Sequence, residues 1–276
     1  MNLKSDRAFG GRQIRIKEGP DSANHDRKEP LAVGVPLAML IKRRLIEQPE
    51  LVVLTHPRSA GAERFRRLCT VLVNQEQNEA QVIVVTSGGP QEGKSTVATN
   101  LALAFAAEKN EPTLLIDADL RRPTIGSWLH PAPQLGLSEV LSGLTTPDHA
   151  VMGLENSTLK ILPAGRPVDA PGELLSSETT QDLIAELRSH YRRIIIDTPP
   201  TVPFTDAEIM GGYSDGVLLI ARSKVTPLSL HDQAVGSITS TRILGTVLND
   251  VDFNLADADR YHAKQFSHYY DRERKK

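Results

Sequence analysis

From Gln81 onward, short β-branched apolar runs alternate with stretches whose apolar residues recur every three or four positions. That alternation is the mark of strands separated by helices in βαβ units. The runs VIVVT (82–86), TLLID (113–117), LKIL (159–162), RIIID (193–197), GVLLIA (216–221) and ILGTVLN (243–249) are predicted strands. Their near-continuous apolar character suits a parallel sheet covered on both faces. Helical spacing is clearest over Lys94 to Lys109, Thr180 to His190 and Leu228 to Thr241. The predicted fold class is therefore α/β, with a doubly wound, mainly parallel sheet.

The chain before that region reads differently. Residues 1–30 mix charges and turn formers with few large apolar side chains, too little to offset chain entropy, and predict a flexible lead-in. Residues 31–78 predict a helical appendage, with helix-like stretches at Leu37 to Gln48 and Ala62 to Val73 separated by an extended LVVL segment (51–54) and by Pro57. The α/β core is assigned to 79–255 and a basic, tyrosine-containing tail to 256–276.

Composition narrows the setting. A single cysteine, Cys69, rules out an intramolecular disulfide framework, and no apolar run approaches the roughly 18 residues of a membrane span. With no secretory leader apparent in the charged N-terminus, the expected location is cytoplasmic, reaching the inner face of the membrane only through a partner. A net charge of −2 and a pI near 6.5 give no general case for nucleic-acid binding. The exception is local: residues 260–276 carry six basic side chains against Asp271 and Glu273, a charge of about +4.

Candidate chemistry begins at Gly88-Gly89-Pro90-Gln91-Glu92-Gly93-Lys94-Ser95, which satisfies G-x-x-x-x-G-K-[ST] between a predicted strand and a predicted helix. Glycines let backbone N–H groups surround phosphate oxygens, and the helix N-terminus adds its positive end. Lys94 is expected to reach the β- and γ-phosphates, Ser95 to ligate Mg²⁺, and Thr96 to lie near the α-phosphate. In TLLIDADLRRP, Asp117 and Asp119 stand two apart at a strand end, so the pleat sends both carboxylates to one side, where open parallel sheets bind ligands. A solvated turn or a helix cap is the competing reading of that pair. In RRIIIDTPP, an apolar strand ends at Asp197 before two prolines that cannot continue a ladder, a Walker B pattern expected to hold Mg²⁺.

Taken in order, SGGPQEGKST, LLIDADLRRP, ELLSS, IIIDTPPTVPFTDA and GTVLNDVD closely resemble the bacterial tyrosine kinases of capsule and exopolysaccharide synthesis, from about Leu51 to the C-terminus. Several segments are shared with the Min and Par ATPases of the same deviant-Walker, MinD/ParA-like P-loop superfamily. The signature lysine of those ATPases is missing from Ser87, Gly88 and Gly89, whereas Asp117 to Pro123 looks like the Walker A′ motif of the kinases. Tyr261, Tyr269 and Tyr270, three of five tyrosines, fall in the last 16 residues and look like the family's autophosphorylated tail.

The resemblance implies ATP and Mg²⁺ as cofactors and transfer of the γ-phosphate to tail tyrosines of another copy, with Lys94, Asp117 and Asp119 catalytic. It implies that Ser95, Asp117 and Asp197 hold the metal and that Asn249 meets the adenine, although a turn-forming Asn before Asp250 is an open alternative. Implied partners are a separate transmembrane activator of the polysaccharide co-polymerase type and a phosphatase. The family's Glu-x-x-Arg-x-x-Arg helix, which packs one subunit on the next, is matched at Glu63 and Arg66, but Cys69 replaces the last arginine, with Arg64 and Arg67 as a shifted alternative. The resemblance leans toward exopolysaccharide export systems, including those associated with exosortases. Rival readings are a switch ATPase of the Min/Par kind and an ATP-binding adaptor of a membrane polysaccharide assembly protein. Phosphorylation would turn the tail charge of about +4 slightly negative and release it from a neighbouring active site.

Overall fold

The computed structural model describes residues 42–45, 48–74, 80–109 and 111–251. In chain order the elements are β1 (Lys42–Leu45), α1 (Val52–Thr55), α2 (Ala60–Asn74), β2 (Val82–Ser87), α3 (Lys94–Lys109), β3 (Thr113–Asp117), β4 (Leu129–His130), α4 (Leu137–Leu141), α5 (Pro147–Ala150), β5 (Met152–Leu154) and β6 (Leu159–Leu162). They continue with α6 (Pro171–Leu175), α7 (Glu178–His190), β7 (Arg193–Asp197), α8 (Asp206–Gly211), β8 (Gly216–Arg222), α9 (Leu228–Ser237) and β9 (Ile243–Asn249).

The strands form one sheet in the order β4-β1-β5-β6-β3-β7-β2-β8-β9, parallel throughout from β6 to β9. Pleating sorts the apolar runs onto two faces. Ile83, Val85, Leu115, Ile195, Leu218 and Ile220 join the core beneath α1, α2 and α3, while Val82, Val84, Leu114, Ile116, Ile194, Ile196 and Leu219 join the core beneath α4, α7 and α9. Crossovers from β2 to β3 and from β7 to β8 each step over one strand, so the carboxyl ends of β2, β3 and β7 converge at the crevice where such sheets bind ligands.

The six strand runs appear where the apolar pattern places them, and α3 has the predicted bounds. Helix α7 starts earlier than Thr180, because the Ser177 side chain accepts the Thr180 N–H as its N-cap. Helix α9 stops at Ser237 rather than Thr241, because Glu208 captures the chain beyond it: its carboxylate accepts the Thr239 N–H at 2.9 Å and the Ser240 hydroxyl at 3.0 Å.

Two N-terminal expectations are corrected. Within the stretch read as helix from Leu37 to Gln48, Lys42–Leu45 is a strand, because β5 and β4 offer backbone ladders that outweigh helical spacing. The LVVL segment read as extended contains the helical turn α1, which is held by the buried side chain of Asn100. Asn100 Oδ1 accepts the Val53 N–H at 3.0 Å, and its amide donates to the carbonyls of Glu50 and Thr96 at 2.9 Å each. Helix α2 buries Ala62, Cys69 and Leu72 in the same core as α3. The lead-in 1–30 and the tail from 252, with Tyr261, Tyr269 and Tyr270, lie outside the described residues.

Candidate functional site

The loop between β2 and α3 is drawn tight by its own sequence. Gln91 (φ 59°) and Gly93 (φ 92°) take left-handed backbone, and Ser87 Oγ donates to the Gly89 carbonyl at 2.6 Å. A Cβ on Gly93 would lie 2.1 Å from the Asn249 amide nitrogen, and one on Gly88 would lie 3.0 Å from Leu230, so close packing excludes side chains at these positions. Lys94 is buried at the head of α3, and the first helical bond runs from the Val97 N–H to the Gly93 carbonyl at 2.9 Å. Pro90 and Gln91 are exposed at the tip, Glu92 is buried, and Ser95 and Thr96 are half-buried.

The TPP segment after β7 is fastened to β2. Thr198 Oγ1 donates to the Val85 carbonyl at 3.0 Å, the Thr201 N–H to the Ser87 carbonyl at 2.8 Å, and Thr86 Oγ1 to the Pro199 carbonyl at 2.8 Å. These bonds lock the loop after Asp197 against the strand that launches the phosphate loop.

Asp117 and Asp197 are register partners at the ends of neighbouring strands β3 and β7, and both are fully buried. Asp117 accepts three backbone N–H bonds, from Asp119 (3.2 Å), Thr124 (3.2 Å) and Ile125 (3.0 Å), which fold the A′ loop around it. Burial nevertheless pushes its carboxyl up to about 7, with the Asp119 charge adding to the rise and those N–H bonds opposing it. Asp119 accepts the Arg122 N–H at 2.9 Å. Asp197 differs: among the described residues neither of its oxygens has a hydrogen-bond partner of normal geometry. Burial first, and then the charge of Asp117, hold its carboxyl well above the usual range, against the Ser95 hydroxyl and the Lys94 ammonium. A buried carboxylate with two bare oxygens beside Lys94 and Ser95 suits a hard divalent cation, which takes oxygen ligands and needs only one or two carboxylates.

One cluster escaped the sequence reading. Arg121 makes a two-pronged pair with fully buried Asp206 (2.8 and 2.9 Å) and lies 4.2 Å from the Phe204 ring centroid. This clamp ties the A′ loop to the start of α8. Arg121 and the FTDA segment were both visible in the motifs, but their pairing spans 85 positions and has no local signature.

Asn249, expected at the adenine, donates its amide to the Glu92 carbonyl at 3.0 Å, against the phosphate loop. On α2, Glu63 and Arg66 pair with each other at 2.8 Å within the helix, Arg66 also reaching the Pro57 carbonyl. Cys69 faces inward, its thiol 3.9 Å from the Leu101 carbonyl, so that position belongs to the packing side of the helix. Arg64 and Arg67 are exposed.

A glycine-rich loop between strand and helix, with aspartates ending the two adjacent parallel strands, defines a nucleotide-binding P-loop protein of the MinD/ParA type. No family model matches the chain. It is 33% identical over 205 residues to the tyrosine-protein kinase YwqD of Bacillus subtilis strain 168, a match covering 73% of this chain and 86% of YwqD. It is also 33% identical over 211 residues to the succinoglycan biosynthesis transport protein ExoP of Rhizobium meliloti strain 1021, covering 74% of this chain but only 26% of that much longer protein. Among solved structures, the chimerical protein CapA2B2 superposes with a TM-score of 0.71 at 30% identity, over 77% of this chain and 95% of the other. The MinD protein of Pyrococcus horikoshii OT3, solved with Mg-ADP, shares the fold with a TM-score of 0.51 at 22% identity, over 61% and 69% of the two chains. The chain belongs to the bacterial tyrosine-protein kinases.

Proposed function

We propose that this kinase binds ATP and Mg²⁺ at residues 88–96, and that it passes the γ-phosphate to Tyr261, Tyr269 and Tyr270 of a second copy. The observation that carries the site is the register pairing of Asp117 with Asp197 beside Lys94 and Ser95, with both Asp197 oxygens bare. Ser95 and Asp197, with Asp117, would hold the cation, whose charge would offset the negative charge of the phosphates. Lys94 and the loop N–H groups position the triphosphate, and Asp117, with Asp119 as second candidate, orients the tyrosine hydroxyl and takes its proton. The phenolic oxygen then bonds to the γ-phosphorus as the bond to the β-phosphate oxygen breaks, leaving ADP. Asn249 would serve the base from its place against the loop.

ExoP is named for succinoglycan biosynthesis and transport, which supports a role in exopolysaccharide or capsule production. No helix among the described residues is long and apolar enough to cross a membrane. We assign the transmembrane part to a partner of the polysaccharide co-polymerase type that recruits the kinase to the inner face of the membrane, with a phosphatase resetting the tail.

Incubation with Mg·ATP, with and without the cytoplasmic end of a candidate activator, followed by mass spectrometry of the tail, tests this. Phosphotyrosine is expected at positions 261, 269 or 270 and is lost in Lys94→Met. Modification persisting in that variant would overturn the site, and phosphate release without phosphotyrosine would overturn the acceptor.

A further inference from the structure

The phosphate loop is held from outside by a polar strap that none of its motifs predicts. Glu92, the residue before Gly93, is buried and aims its carboxylate back into the loop, where Oε2 accepts the Gly89 N–H at 3.1 Å. Its other oxygen accepts the Thr226 hydroxyl at 2.5 Å. Thr226 Oγ1 in turn accepts the Arg222 N–H at 2.7 Å, so one hydroxyl serves as donor and acceptor at once, which only Ser or Thr of that size can do. The Arg222 side chain pairs with Asp250 at 2.9 and 3.0 Å and reaches the Gln91 carbonyl at 3.5 Å. From the same side, Asn249 donates to the Glu92 carbonyl, and the Ser223 N–H to the Asn249 carbonyl at 2.8 Å. Packing agrees, since Gly88 and Gly89 both abut Leu230, four residues beyond Thr226.

We infer that Glu92 and Thr226 are positioning residues for nucleotide binding, and that the Arg222–Asp250 pair couples the set of the phosphate loop to the root of the C-terminal tail. Gln91 and Gly93 hold left-handed backbone on either side of Glu92, and a buried charge-assisted hydrogen bond across the turn keeps that shape in place between catalytic cycles. The loop N–H groups then meet phosphate with little further ordering, which is where preorganisation gains affinity. Asp250 stands where β9 ends and the chain leaves for the tail that holds the acceptor tyrosines, so a pull on that root reaches the loop through two side chains. The pair is the weak link, being 40% and 60% exposed on its two sides, whereas the Glu92 end is buried.

The inference rests on the assignment of residues 88–96 as the phosphate loop, and the test separates the two. In the full chain, the affinity and release rate of Mg·ADP are measured by fluorescent-nucleotide displacement for the parent, Lys94→Ala, Thr226→Val, Thr226→Ser, Glu92→Gln and Asp250→Asn. Thr226→Val keeps the side-chain shape and removes the hydroxyl. It is expected to weaken Mg·ADP binding about tenfold, chiefly through faster release, the size of one charge-assisted hydrogen bond. The KM for ATP should rise by a similar factor while kcat changes less than threefold, and Thr226→Ser should restore the parent values. Glu92→Gln, whose amide can accept only one of the two bonds, should act in the same direction and covers the case in which Thr226→Val does not fold. Asp250→Asn should cost two- to fourfold, and less than that when combined with Thr226→Val, because the strap is already cut. Parent-like Mg·ADP binding in Thr226→Val or Glu92→Gln, with binding abolished in Lys94→Ala, overturns the strap and leaves the loop assignment intact. Parent-like binding in Lys94→Ala overturns the loop assignment itself.

Discussion

Asp197 offers a test in which removing a residue from the proposed metal site should make the resting protein more stable. Its carboxylate is fully buried, neither oxygen has a hydrogen-bond partner of normal geometry among the described residues, and its register partner is Asp117, itself buried and carrying a carboxyl pushed up to about 7. The Asp197 carboxyl is held well above the ordinary 3.8, first by its own burial and then by the charge of Asp117, and a buried acidic group of this kind, once relaxation of the interior is allowed for, is expected to cost the resting fold about 2 kcal/mol. Asp197→Asn keeps the shape, removes one charge from the pair and sets an amide opposite Asp117. The sign follows from linkage: a carboxyl raised in the folded state costs nothing below its unfolded value and costs progressively more as pH climbs through the folded one. In EDTA and without nucleotide, the variant should therefore melt about 4–8 °C above the parent at pH 8, with the gap shrinking toward pH 5. Adding Mg²⁺ and ADP should reverse the order, because only the parent gains the metal-linked stabilisation. Scanning calorimetry or dye-monitored melting reads all of this. A variant that melts below the parent at pH 8 in EDTA, or a gap that does not move with pH, would refute the assignment of Asp197 as a strained, metal-ready carboxylate.

Two further outcomes follow from groups around the sheet. Arg121→Ala leaves the fully buried Asp206 without its two-pronged partner and should cost about 1–3 kcal/mol in urea unfolding, a figure discounted for the 31% exposure of Arg121; an unchanged midpoint would show that the clamp carries no weight. At the opposite end of the strands, Asp215 is raised by burial but more than offset by bonds from Arg188 and the Val82 N–H, leaving its carboxyl below the usual 3.8. Its contribution is present above that value and lost as pH falls through the lower folded one, so Asp215→Asn should cost about 1 kcal/mol at pH 7 and nothing in strong acid, read as converging acid-unfolding curves.

The apolar runs 82–86, 113–117, 159–162, 193–197, 216–221 and 243–249 were sufficient to place the strands, because a strand buried on both faces leaves an unbroken mark in the sequence. The place of the loop 88–93 between β2 and α3 was equally legible, since G-x-x-x-x-G-K-[ST] is contiguous in the chain. The strand-end positions of Asp117 and Asp197 could be read off as well, but not that the two are register partners: β3 and β7 lie 80 positions apart and meet only because β7 inserts between β2 and β3. The N-terminal segment misled for a related reason. Lys42–Leu45 is a strand because β5 offers it an edge, and Val52–Thr55 is helical because Asn100 takes up the Val53 N–H, and neither cause is local.

The sequence by itself determined the class of the protein, through contiguous motifs and through hydrophobic periods that burial enforces. It also carried the kinship with the tyrosine kinases, through the A′ segment and the missing signature lysine. Only the tertiary structure decided which polar groups face one another: Asp117 with Asp197, Arg121 with Asp206, and Glu92 with Thr226. The physical reason is that hydrogen bonds and ion pairs act over a few ångströms of space, whatever the separation along the chain, while the periods that a sequence displays record only which face of each element is buried.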